Sequence, residues 1–447
     1  MGGGELSNTN YNEQVKAILS ALPRSRNKDF LLSANYIINK NSYSLPPFGV
    51  VRFNNLIDWE DNRSRSFQRL IHGFTFLGCL VDAYMNTQDV KYISKGIELQ
   101  IDWINKFNFQ KDKDSMAFHD ETTALRLQYM LRFYIICEEH ITEEDKWQIE
   151  NCMWTTAKLL ANDDFHSTNT NHGMFQDLSL FLFASYFSTV DETLCEHYIQ
   201  LSIFRLNNYF MNIFTSDGVH KEHSPSYHML VSLNIKRLIT WMKELDGNIS
   251  KNFEDLYSAS EDYSTFIIKP DGYFPSMCDT ESKPVIKSSY KYLYDSETYK
   301  YAVTAGKEGK PPNITDFVFP DAGYAIFRDD WTKKEKATYV LFSAAYHTNY
   351  HKHSDDLNLI IYKNGDIITE AGPNGYNYKD PFTKYAYSSF GHNTLIVDNR
   401  GLPRTDGNYD KVSITEYSIT DNYSNATGVN KRYEGVTHTR NVTHKKS

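Results

Sequence analysis

Residues 306–312 read Gly306-Lys-Glu-Gly-Lys-Pro-Pro312, and the hydrophobic pattern differs on the two sides of this segment. Before it the period is helical. Phe67, Leu70, Ile71, Phe74, Leu77, Val81 and Tyr84 mark one face of a single long helix, and Ile93, Ile97, Ile101 and Ile104 repeat the spacing. Ala124–Cys137 (ALRLQYMLRFYIIC) is apolar around most of its circumference, which predicts a buried helix. Thr142 to Asp145 has the form of a capping box opening a helix through Trp147, Ile149, Met153 and Leu160. With Phe175–Phe187, Leu194–Ile213, Tyr227–Leu245 and Phe253–Ile268, this makes roughly ten helices joined by short polar loops, with hardly a strand among them. Helices in such a run stack as antiparallel hairpins. The absence of a fixed-length repeat favours closure into an α/α toroid over a regular solenoid.

After Pro312 the period drops to two. Thr338–Phe342, Leu357–Tyr362, Asp366–Thr369, Thr394–Val397 and Val412–Tyr417 read as strands, with turns at Asn364-Gly365 and Asp406-Gly407. The expected organisation is a multidomain α+β chain: an incomplete α/α toroid over 1–312, then an antiparallel β-sandwich over 313–447. Val436–His444 reads as a strand with nothing after it to pair its outer edge. The sandwich is therefore expected to be incomplete and the chain truncated.

Composition narrows the function. The 447 residues carry 47 basic and 56 acidic side chains, a net charge of −9, which argues against a nucleic-acid binder with its basic surplus. An acidic ligand is still compatible, because a local pocket can be basic on an acidic protein. Apolar residues make up 40%, enough for a substantial core. No stretch approaches the ~20 apolar residues of a membrane span. Met1–Asn10 lacks the regions of a secretory signal, so the chain either stays inside the cell or has lost its signal. Cys79, Cys137, Cys152, Cys195 and Cys278 are scattered, with no CxxC pair, and read as buried free thiols. The 32 tyrosines suit either a Tyr-rich core or a sugar cleft, where the ring stacks on a pyranose and the hydroxyl makes hydrogen bonds.

Three polar clusters interrupt otherwise structural stretches. Asn169-Thr-Asn171-His172-Gly173 reads as a loop leading into the helix at Phe175, and a cap and turn alone would explain it. In Asp217–His228 a turn leads to Ser224-Pro225, which opens a helix whose first turns hold Tyr227 among three His, one Lys and Glu222. Positive neighbours and the helix dipole would favour phenolate there, fitting Tyr227 to act as base or acid; a solvated loop is the bland alternative. In Tyr346–Asp356, His351 and His353 point the same way if extended, and Glu370 and His392 follow. Those are the residue types of a zinc set.

In order and context these clusters resemble the heparinase II/III-like polysaccharide lyases, with the related alginate and oligoalginate lyases. The matching segments are Asn171-His172-Gly173, Asp217-Gly218 with Glu222 through His228, Asp321-Ala-Gly323-Tyr324 through Arg328 and Trp331, His351 through Asp355 with Glu370-Ala-Gly372, and His392-Asn393-Thr394. The resemblance implies the same toroid-plus-sandwich architecture and β-elimination on a uronic-acid-containing polysaccharide or oligosaccharide. It implies that Asn171 and His172 neutralise the sugar carboxylate, that Tyr227 moves the proton, and that His351 neutralises the carboxylate or serves as base. Glu222, His228 and Arg126 would line the substrate cleft, although a buried structural pair is the other reading of Arg126. His353, Glu370 and His392 would hold a structural zinc ion, with no organic cofactor. Two positions depart from the pattern: Glu370 stands for the usual Asp, and Tyr387 stands where an Arg is expected. A toroid-fold glycoside hydrolase, using two of Asp120, Asp177, Asp217 and Glu222, is one rival reading. A non-catalytic glycan-binding or exopolysaccharide-assembly protein is the other.

Overall fold

A computed structural model describes residues 12–46, 48–53, 56–107, 115–245, 251–377 and 379–446. The segment Met1–Asn10 lies outside them. The contacts divide the chain into two units, one of 1–209 with 240–248 and one of 210–239 with 249–447.

The first unit is helical: α1 (Glu13–Ala21), α2 (Phe30–Lys40), α3 (Arg65–His72), α4 (Phe76–Thr87), α5 (Lys91–Phe107), α6 (Asp120–Cys137), α7 (Glu143–Ala161), α8 (Asn171–Phe187) and most of α9 (Glu192–Ile213). Helix α4 packs on α2, α5 and α6, and α6 packs in turn on α7 and α8. As its composition requires, α6 is buried along almost its whole length. Thr142 caps α7 by accepting from the amide of Asp145, the half of the capping box that the sequence announces.

The single helix expected over Phe67–Tyr84 is two helices. Gly73 ends α3, and Phe74, at φ +58°, turns the chain before α4 begins. The apolar face runs on through the break because Phe74 and Phe76 are themselves fully buried, so periodicity alone misses the turn. A small antiparallel hairpin, β1 (Ser42–Ser44) with β2 (Val50–Arg52), also joins this helical unit.

The second unit opens with α10 (Pro225–Leu245, to residue 239) and continues through α11 (Lys251–Phe266) and α12 (Glu297–Val303). Its strands form two antiparallel sheets. The larger joins β3 (Phe317–Phe319), β4 (Tyr324–Arg328), β5 (Thr338–Ser343), β6 (Asn358–Lys363) and β7 (Asp366–Ile368) in sequence order. The smaller places β9 (Tyr423–Asn430) between β8 (Val412–Ile419) and β10 (His438–Lys445). Helix α13 (Pro381–Tyr387) lies between the two sets of strands in sequence.

Alternation decides which side of the larger sheet meets what. Ala325, Phe327, Val340 and Phe342 pack with Val412 and Ala426 of the smaller sheet. Tyr324, Ile326, Tyr339 and Leu341 face the other way, onto Met229, Tyr263, Phe266 and Tyr299 of the helices. With both faces covered, β4 has no exposed residue. The strand expected at Thr394–Val397 is instead a turn held by one isolated bridge, Val397 to Arg400. Its Asn393 side chain donates to the carbonyls of Leu359 and Thr369, which fixes the segment by side-chain bonds where no ladder exists. The five cysteines are free and buried. No helix among the described residues is long and apolar enough to cross a membrane.

Candidate active site

In the helical unit the side chain of Thr170 accepts from the amide of Gly173 and so caps α8. Asn171 and His172 therefore lie in the first turn of the helix, one step further in than the loop expected. A Cβ on Gly173 would stand 2.3 Å from the carbonyl oxygen of Ser167, so the close return of the loop onto the helix requires glycine there. Gln176 ties the same loop down by accepting from Ser167 N (2.8 Å) and donating to Phe165 O. His166 bonds Asp177 (2.9 Å), whose other oxygen lies 3.5 Å from Arg205.

His172 stands between two carboxylates: Nδ1 is 3.1 Å from Asp120 Oδ1, and Nε2 is 3.4 Å from Glu121 Oε2. Asp120 also holds Nδ1 of His119 at 2.7 Å and accepts from the hydroxyl of Ser167. Arg69 grips both oxygens of Glu121 at 2.7 Å. The bond to Asp120 raises the His172 pKa above the ordinary imidazole value against a smaller opposing effect of burial. Burial pushes the Asp120 carboxyl up, but its bonds to His119, His172 and Ser167 hold it far below the carboxylate range.

Arg126 is not a cleft residue. Its side chain is 0% exposed, with the guanidinium 4.1 Å over the ring of Trp103 and hydrogen bonds to the carbonyls of Ala117 and His72. Core carbonyls and an aromatic face take the place of the Asp partner considered from sequence.

In the second unit Tyr227 and His351, 124 residues apart in sequence, stack face to face with ring centroids 3.6 Å apart. Tyr227 occupies the first turn of α10, and its hydroxyl meets that of Tyr376 at 3.2 Å. Nδ1 of His351 bonds Asp279 Oδ2 at 2.6 Å, and its Nε2 lies 3.4 Å from Glu222 Oε2. Asp279 is a hub, since its other oxygen accepts from His353 Nε2 (3.0 Å) and Tyr387 Oη (2.8 Å). Burial works to raise its pKa, but the bonds from His351 and His353 win and keep it ionised well below the usual carboxylate range. Three residues next to or within this set hold left-handed backbone: His223 beside Glu222, Cys278 beside Asp279, and His351 itself. Such strain in residues other than glycine concentrates at functional sites.

Two expectations about this half need correcting. The phenol of Tyr227 is pushed up in pKa, not down: burial is the largest cause, followed by Tyr376, and the nearby charges are the carboxylates of Asp279 and Glu222. The basic residues of the Asp217–His228 segment do not offset this, because His220, His223 and His228 are buried and kept neutral by desolvation. His228 is also no substrate contact. It is 1% exposed and bonded to Ser260 O, Ser264 Oγ and the amide of His220.

Two family models match the chain: Heparinase II/III N-terminus over residues 5–301, and Heparinase II/III-like, C-terminal, over 311–447. The chain belongs to the heparinase II/III family. A heparin-sulfate lyase of Pedobacter heparinus is 22% identical over 394 residues, covering 83% of this chain and 57% of that protein. A heparin-sulfate lyase of Bacteroides thetaiotaomicron is 28% identical over 221 residues, 44% of this chain and 31% of that one. The chain thus spans little more than half the length of the first of these relatives and about a third of the second. Among solved structures, Heparinase III superposes with a TM-score of 0.78 at 18% identity, over 98% of this chain and 71% of that one. The heparan sulfate lyase HepC of Pedobacter heparinus gives 0.74 at 18%, over 97% and 71%. The fold of this heparinase II/III-family chain is accordingly an α/α toroid followed by an antiparallel β-sandwich.

Seen as a heparinase II/III-family chain, it keeps the expected metal residues close to one another. His392 Nδ1 bonds Glu370, and the His392 ring lies 5.4 Å from that of His353. His353 Nδ1 and His392 Nε2 are buried with no hydrogen-bond partner, which fits two nitrogens kept for an ion. Among the described residues, the three-residue grouping whose ligand atoms all fall within 4.8 Å is instead His119, Asp120 and His172, whose ion pairs account for that spacing. Glu370 is committed to His392 and Asn393, and so orients the imidazole. Asp279 and Tyr376 escaped the sequence reading of the site. The one signal for Asp279 is a lone carboxylate in a turn-like Met277–Thr280 segment, which an isolated bridge closes. Tyr387, where an Arg is expected, lies 5.3 Å beneath the guanidinium of Arg404.

Proposed function

We propose that this chain is a polysaccharide lyase that cleaves a uronic-acid-containing glycan of the glycosaminoglycan class by β-elimination. The C5 proton leaves, the C4–O bond breaks, and a C4=C5 double bond forms while the glycosidic oxygen gains a proton. Removing that proton is feasible only when the charge developing on the adjacent carboxylate is taken up by positioned donors. In this reading Asn171 and His172 neutralise the carboxylate, Tyr227 carries the proton, and His351 serves as a second neutralising or basic group.

The observation that carries the proposal is the stacking of Tyr227 on His351, with Asp279 fixing the imidazole through Nδ1. A phenol kept neutral is ready to give its proton to the leaving oxygen. To act first as the base it must lose that proton, and the group its hydroxyl meets is that of Tyr376, at 3.2 Å. The names of the relatives, heparin-sulfate lyases, support a sulfated uronate polymer as the first substrate to try. The hydrolase alternative needs two carboxylates free to flank a sugar bond. Asp177 is paired with His166 and Arg205, Asp217 accepts from the amides of Asp321 and Ala322, and Asp120 and Glu222 face imidazoles.

A divalent ion belongs to the same proposal: His353 and His392 would hold it through their unpartnered nitrogens, with Glu370 beside them, as a structural brace of the β-region. Metal analysis of the purified chain checks this. Chelation is expected to lower Tm, and loss of the ion from His392→Ala is expected in parallel.

Incubation with heparan sulfate, heparin, hyaluronan and alginate tests the function. Ultraviolet absorbance from the conjugated double bond is expected with at least one polymer. Silence across all four, or new reducing ends without absorbance, would contradict the proposal. Tight binding without product would favour the glycan-binding alternative.

A further inference from the structure

The first turns of α6 and α8 and the last turn of α3 bring charged groups together in one row: Arg69, Glu121, His172, Asp120 and His119. Building on the reading of His172 just given, we propose that Asp120 is a positioning residue. With Glu121 it holds His172 as an imidazolium between two carboxylates, so that the group offered to the sugar acid is a fixed cation.

The geometry leaves each imidazole nitrogen of His172 facing an oxygen, Nδ1 toward Asp120 and Nε2 toward Glu121. Only the protonated ring can donate from both nitrogens at once. Asp120 is held in turn by the hydroxyl of Ser167 and by His119, whose ring stands edge-on to that of His172 with centroids 5.6 Å apart. Glu121 is fixed by Nη1 of Arg69, which reaches both of its oxygens. Both carboxylates lie at the N-terminus of α6, where the helix dipole favours negative charge.

Charge balance shows why this matters for an acidic ligand. Arg69, Asp120, Glu121 and a neutral imidazole would together carry one net negative charge and would repel a uronate. An imidazolium brings those four groups to balance. The α8 dipole works against a positive charge on His172, which sits in its first turn. The two carboxylates have to outweigh both that dipole and the nearby Arg69. His166, in the preceding loop, is engaged by Asp177 and Thr168 and contributes nothing to the row. Loss of the proton should therefore weaken substrate binding more than it slows the chemical step.

The test is an NMR titration of the histidine ring protons in the full chain, with His172 assigned by its loss in His172→Gln, run beside steady-state kinetics. His172 is expected to titrate above the ordinary value of about 6.5, and Asp120→Asn to bring it back toward that value. KM is expected to rise about three- to fivefold, the size of a partly exposed ion pair, as pH passes through the His172 titration, with kcat changing less. In Asp120→Asn that KM limb should move to lower pH, and Glu121→Gln should give a smaller shift in the same direction. A His172 that titrates at or below 6.5, a titration unmoved by Asp120→Asn, or a divalent ion bound at His119, Asp120 and His172 would overturn the proposal. If His172 titrates high while His172→Gln keeps its KM and kcat, the ion pair stands and the site reading fails, so the two failures are distinguishable.

Discussion

Tyr227 carries the chemistry of the proposal, and its surroundings set which half of that chemistry is easy. A half-buried phenol beside two carboxylates stays protonated, so it is better prepared as acid than as base in the free protein. Tyr227→Phe deletes one oxygen whose partner is another tyrosine hydroxyl, and kcat is expected to fall about 10²- to 10⁴-fold with little change in fold by circular dichroism. Asp279→Asn keeps the shape of the hub but removes the charge that orients His351 and His353. A drop in kcat of about ten- to a hundredfold is expected, the usual size for a group that orients a working imidazole. At this scale the sequence is legible where a motif surrounds the residue, as at Tyr227 and His351. It is not legible at Asp279, which has no motif and reaches the site only through the folded turn at Met277–Thr280. The pKa direction of Tyr227 departs from the sequence expectation for a related reason: its histidine neighbours in sequence are buried and neutral, whereas the charges near it in space are the carboxylates of Asp279 and Glu222.

The start of α8 shows how an element places its residues. Thr170 caps the helix, Gly173 lets the loop return, and Gln176 clips that loop to the following turn. Thr170→Ala is expected to lower stability by about 0.5–2 kcal/mol, read as a fall in Tm by calorimetry. Gly173→Ala should do more harm, since its Cβ would meet backbone that cannot swing away, and it should lower activity together with stability. Elements were readable from period alone where the chain stays regular, as in α5, α6, β5 and β6. The breaks were not. Phe74 and Phe76 keep the α3–α4 turn buried, and Thr394–Val397 alternates like a strand while its bonds come from Asn393.

At the scale of the molecule, the buried ionisable groups set how stability responds to pH. His72, His220, His223 and His228 are kept neutral by burial, His228 at about 4 and His72 at about 3. The unfolded chain binds protons at these sites below about 6.5 and the folded chain does not, so their contribution is complete above that pH and is lost as pH falls. Asp120 and Asp355 are carboxylates held below their unfolded values by partner groups, Lys352 chief among them for Asp355, and their contribution is lost only below about 4. His172 has the opposite sign: its raised pKa stabilises below about 6.5 and fades as pH rises through the folded value. One group against four leaves the histidine decline dominant. Tm measured by calorimetry is expected to fall from about pH 6.5 downward and to steepen below about pH 4; a maximum near pH 5 would contradict this balance.

The most direct measurement follows wild type and Tyr227→Phe on whichever uronate polymer the wild type cleaves, recording ultraviolet absorbance and reducing ends together. Both signals are expected to rise in step for the wild type, and neither is expected to rise for the folded variant. Reducing ends without absorbance in the wild type, or an undiminished rate in Tyr227→Phe, would contradict the proposal.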